Sequence, residues 1–134
     1  MRQAGVRKDK MLSSLANIYF DRAYGYSYKE AAYESKGEGS AENRALLTWV
    51  KFELFQSNHK IINMSFHLFA GPYTIAVIGV LVEKLLTGQL HQMDNIEFRK
   101  AVKSLSIPRD QVGKIIIVED AFFNSLKDLK GDTW

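Results

Sequence analysis

Apolar positions in this chain recur mainly at three- and four-residue spacing, the period of an amphipathic helix. Over residues 9–24 the stripe is Met11, Leu12, Leu15, Ile18, Tyr19 and Ala23, and Gly25 offers a stop. Ser27 and Glu30 have the form of a capping box, which predicts a short second helix up to Lys36. The alternation Tyr24-Gly25-Tyr26-Ser27-Tyr28 would suit a strand, but it is short and flanked by helix signals. Gly37-Glu38-Gly39-Ser40 reads as a linker. Ser40 then serves as an N-cap, with Glu42 in the first turn, for a helix carrying Leu46, Leu47, Trp49, Val50, Phe52, Leu54 and Phe55. Ser57-Asn58 interrupts it, and a further helical stretch is expected over residues 60–70.

Gly71-Pro72 is a strong breakpoint. Proline belongs in the first turn of a helix and glycine just past its end, and Pro72 and Gly88 frame residues 73–87 in that way. This segment is expected to be the buried central helix, with a buried strand as the alternative because of its β-branched content. Asp94 or Asn95 caps the next helix, over 96–105. Ser106-Ile107 makes a turn, and Pro108 opens a last helix. Val112, Ile115, Ile116, Glu119, Phe122, Phe123, Leu126 and Leu129 hold one face of it until Gly131. The expected fold is therefore all-α, a compact bundle of five or six helices in one domain (residues 9–134), preceded by a basic arm over residues 1–8.

Composition narrows the class. The chain has 134 residues, 46% hydrophobic and 25% charged, as a single globular domain should be. It has no cysteine, so disulfides, thiolate metal sites and cysteine nucleophiles are excluded. No secretory signal is read at the N-terminus, and a cytoplasmic location is favoured. The net charge of +3 resides in the first ten residues, where Arg2, Arg7, Lys8 and Lys10 oppose Asp9. Such an arm suits nucleic acid, anionic lipid or an acidic partner.

Residues 61–82 contain no Asp, Glu, Lys or Arg, which is long enough for a transmembrane span. Gly71-Pro72 at its centre, and Asn63, Ser65 and His67 in its first half, argue for an amphipathic helix followed by a buried one. His59, Asn63 and His67 would form a polar row on that helix. His59 and His67 would stand about 12 Å apart, too far to share a metal. No metal site, cofactor or catalytic residue is assigned. Gly37-Glu38-Gly39 lacks the rest of a phosphate-binding loop. Glu53 and Glu83 stand in apolar surroundings, where a carboxylate either rises in pKa or reaches to solvent beside Lys51 or Lys84.

Leu105-Ser106-Ile107-Pro108-Arg109-Asp110-Gln111-Val112, followed by Ile115-Ile116, resembles a helix-turn-helix over residues 98–116. Ser106 stands where that motif usually has glycine, and Val102 where it has a small residue. The resemblance implies a second helix exposing Arg109, Gln111 and Lys114 to DNA. Elsewhere Phe20, Tyr24 and Tyr28 form a second stripe, and Trp134 is either a free end or an anchor in a neighbour's pocket. These four are candidate protein-interface residues. The function expected first is a non-enzymatic small subunit or adaptor that docks onto a protein partner or onto itself. DNA binding through residues 98–116 comes second and membrane insertion through 61–82 third, with no small-molecule substrate identified.

Overall fold

The structure, a computed structural model, describes residues 13–130. The basic arm with Arg2, Arg7, Lys8 and Lys10, and also Trp134, lie outside the described residues. The chain forms helix α1 (Ser14–Tyr24), strands β1 (Ser35–Asn43), β2 (Thr48–Ser57) and β3 (Lys60–Phe69), and then helix α2 (Pro72–Leu86). A 3-10 turn (Leu90–Gln92), α3 (Asn95–Ser104), a second 3-10 turn (Arg109–Gln111) and α4 (Val112–Leu129) follow. The all-α helical bundle is thus overturned. The fold is mixed, with one antiparallel sheet in the order β1-β2-β3 and four α-helices among the described residues.

The helices at both ends of the chain follow the sequence signals. Ser13 caps α1, its side chain accepting from Ala16 N–H, and Gly25 closes it. Pro72 opens α2 and Asp94 caps α3 by accepting from Glu97 N–H. α2 is the central helix, buried from Tyr73 to Val82 apart from Ile75. Pro108 precedes a 3-10 turn rather than starting the last helix directly.

The correction lies between residues 27 and 70. The expected helices there are an extended segment and three strands. The β2 sequence alternates strictly. Thr48, Val50, Phe52 and Leu54 point into the core, while Trp49, Lys51 and Glu53 point out. Period-two alternation rich in aromatic and β-branched residues is a strand pattern. β3 repeats it, with Met64, Phe66 and Leu68 on the inner face opposite Leu54, Phe52 and Val50. Asn63, Ser65 and His67 are therefore neighbours on one strand face, not a helical row. Asn58 and His59 join β2 to β3, both with positive φ (53° and 64°), as a two-residue type I′ hairpin requires. Residues 61–82 are divided between β3 and α2, and no described helix is long and apolar enough to cross a membrane.

Two close backbone approaches hold the layers together. α4 lies over the inner face of β1 and β2. A Cβ on Gly37 would come within 2.5 Å of Leu129 N and Ser125 O, and one on Gly39 would collide with the backbone at Ser125. Gly37-Glu38-Gly39 is therefore no linker. It is the stretch of β1 on which a helix rests directly, and Ala121 and Ser125 are the small residues that match it from α4. Asp128 at the end of α4 accepts from the outward Glu38 N–H at 2.8 Å. On the other side of the molecule α1 packs along α2, where a Cβ on Gly79 would collide with the Tyr19 carbonyl. Between these contacts Phe52, Phe66 and Phe122 pack with their rings tilted or edge-on, and Phe122 meets Phe123 in the same way.

Candidate functional site

The second face of the sheet carries no helix among the described residues, and its side chains form three zones. The middle is ionic. Lys36 Nζ lies 3.3 Å from both Glu38 Oε2 and Glu53 Oε2, and Lys51 Nζ lies 3.5 Å from Glu38 Oε1. Ser65 Oγ donates to Glu53 Oε1 at 2.7 Å. That hydrogen bond is the main reason the Glu53 carboxyl sits below the ordinary value of 4.5, with Lys36 adding to it and burial opposing it. Lys36 is raised above 10.5, first through Glu38 and then Glu53. A serine and a histidine (Ser65, His67) do lie near a carboxylate here. A general base working near neutrality needs a raised carboxyl, and Glu53 is shifted the other way.

Towards the β1–β2 turn the same face becomes apolar. Trp49 on β2 stands opposite Phe69 on β3 in register. Together with Leu47, which has a positive φ of 51°, they line an open hollow of about 370 Å³, edged by Glu42, Asn43 and Arg44. Leu47 is 71% and Phe69 67% exposed. At the opposite end Tyr28 and Tyr33 cover Phe55 at ring distances of 5.4 and 4.9 Å. The extended segment after α1 brings them there. It is pinned at the β3 edge by Tyr26, whose hydroxyl donates to the Met64 carbonyl, and by Asn63, which donates to the Lys29 carbonyl at 2.7 Å.

A second apolar hollow, of about 340 Å³, runs between α3 and α4. Phe98, Val102, Val112, Ile115 and Ile116 form its floor and walls, with Arg99, Lys103 and Glu119 at its rim. Val112 and Ile116 are each 46% exposed. Glu119 is buried and accepts from Asn95 Nδ2 at 2.8 Å and from Arg99 Nε at 2.9 Å, while Arg99 itself is 72% exposed.

The sequence-selected residues fall in different places. Phe20 is buried in the core and stacks on Tyr24 at 5.9 Å, so it presents no surface. Tyr24 is exposed at the end of α1, and Tyr28 lies off the helix, on the sheet. Arg109 and Gln111 sit in the 3-10 turn before α4, and Lys114 in its first helical turn. Ser106 has φ 55°, which supplies without glycine the left-handed turn that the helix-turn-helix resemblance requires. Glu83 is part-exposed, receiving a hydrogen bond from Tyr19 at 2.7 Å and an ion pair from Arg22 at 3.1 Å. The hydrogen bond to Glu83 raises the Tyr19 pKa above 10.0. Among the described residues no cluster of three His, Asp or Glu could hold a metal.

Two signals for exposed apolar residues were present in the sequence. Four consecutive apolar residues, Ile115 to Val118, cover most of a helix circumference, so one of them must face out, and it is Ile116. Strict alternation in β2 likewise puts Trp49 on the face opposite Val50. No protein-family model and no curated protein matches the chain.

Proposed function

We propose that this chain is a non-enzymatic docking protein, a small subunit or adaptor that binds another protein. The observation that carries this proposal is that five exposed large apolar side chains line two hollows, Leu47, Trp49 and Phe69 in one and Val112 and Ile116 in the other. Contiguous apolar surface rimmed by charge is what a partner removes from water. A photo-crosslinking residue placed at Phe69 and, separately, at Ile116 tests the proposal. A discrete, saturable adduct at either position, competed by unlabelled protein, is expected. Absence of any saturable adduct at both positions overturns it.

DNA binding is the second proposal, favoured by the left-handed Ser106 between α3 and the start of α4. It expects Arg109→Ala with Lys114→Ala to weaken duplex binding, and binding to fall steeply with added salt. Unchanged affinity in that variant removes it. The apolar exposure of Val112 and Ile116, on the turns that would face bases, makes protein the better-supported partner.

A further inference from the structure

We infer that the α3–α4 hollow is a seat for an amphipathic helix of a partner protein, one carrying two carboxylates four residues apart beside its apolar anchors. This inference rests on the docking function proposed above and names the partner's chemistry at one of its two surfaces.

The apolar part of the seat has helical spacing on both walls. Val112, Ile115 and Ile116 stand at i, i+3 and i+4 of α4, and Phe98 and Val102 at i and i+4 of α3. Ridges of that period accept the ridges of a third helix. The charged part stands beside it. Arg99 and Lys103 are also four apart, so about 6 Å separates them along the α3 axis. Carboxylates at i and i+4 of a docked helix share that separation.

The two cations differ in how they are held. Nε and Nη2 of Arg99 are turned towards Glu119, at 2.9 and 3.4 Å. A guanidinium has five N–H groups, so three remain for an incoming carboxylate, already oriented by the buried one below. Lys103 is exposed and joins no ion pair among the described residues. From Asn95 to Ile116 the net charge is positive. Between residues 95 and 116 five basic side chains stand against two acidic ones. A partner that is apolar on one stripe and acidic beside it complements both features. A phosphate backbone would meet the charge but leave Val112 and Ile116 without an apolar counterpart.

The probe is a fluorescein-labelled amphipathic peptide of about five helical turns. It has leucines at i, i+3, i+4 and i+7 and glutamates at two flanking positions four apart. A twin carries lysines in place of the glutamates. Fluorescence anisotropy with the full chain is expected to show binding of the glutamate peptide and at least tenfold weaker binding of the twin. Lys103→Glu, an exposed change that leaves the Arg99–Glu119 pair intact, is expected to weaken the glutamate peptide about tenfold and to strengthen the lysine twin. Loss and gain in one variant cannot come from misfolding. Ile116→Ser is expected to weaken both peptides.

Equal affinity for the two peptides, or indifference to Lys103→Glu, overturns the inference. So does tighter binding of duplex DNA or of phosphatidylserine-containing vesicles at the same residues. If the peptides fail while the Phe69 adduct persists, only the α3–α4 seat is wrong. If the peptides and both adducts fail, the docking function falls with it.

Discussion

The two faces of the sheet are built from alternate residues of the same three strands, yet they obey different physics. On the inner face Val50, Phe52, Leu54 and Met64 are fully removed from water, and the α4 backbone rests on two glycines. On the outer face the neighbouring positions hold an ionic ladder in the middle and a tryptophan and a phenylalanine at one end. Close packing makes the inner face intolerant of a single methyl group in either direction. The outer face is held by screened charges, each worth little. Stability therefore resides on one side of a strand while the other side is free to serve recognition.

The largest break in this comparison is expected from Phe52→Ala, which empties the space between Phe66 and Phe122. About 3–5 kcal/mol should be lost in urea unfolding. A loss below about 1 kcal/mol would mean that the inner face is not the core. Gly39→Ala follows, since a Cβ there meets helix backbone rather than a movable side chain. About 1–3 kcal/mol is expected, and wild-type stability would refute the close β1–α4 approach. Glu53→Gln, on the outer face, should weaken the fold by about 0.5–1 kcal/mol at neutral pH. The Glu53 pKa is lowered in the folded state, so its contribution is present above 4.5 and is lost as pH falls through the lower folded value. The gap between wild type and variant should close in that acidic window, and a gap independent of pH would detach Glu53 from Ser65 and Lys36. Smallest of all, Phe69→Ser should change stability by no more than about 0.5 kcal/mol. A loss comparable to that of Phe52→Ala would turn the outer patch into hidden core.

What was legible in the sequence follows the nature of each signal. Capping and breaking residues act locally, so Gly25, Pro72 and Asp94 mark helix ends that the structure keeps. The strands were misread because a step of four residues fits both a helix and a strand. His59, Asn63 and His67 satisfy the helical period, and the intervening Ser65 makes the latter pair part of an alternating face. Gly37 and Gly39 read as a linker for a related reason. Nothing near them in the chain shows that Ser125 and Leu129 will lie against them. The outer-face ion ladder was equally hidden, since Lys36 reaches Glu53 only after strand pairing. The α3–turn–α4 region is legible, but its outward residues are read there by charge, and the exposed Val112 and Ile116 are grouped on one face with buried residues of α4.

The hydrogen bond from Glu38 to Asp128 spans ninety positions along the chain. The β2–β3 hairpin closes through two residues and can form early, within its own neighbourhood. β1 has no such local route to its cover. Its seat beneath α4 encloses the remaining strands, α2 and α3 within one large loop, and the entropy of closing that loop has to be met before the glycine contacts return anything. Assembly of this molecule should thus be ordered in time, with the hairpin formed first and the β1–α4 clasp among the last contacts to set.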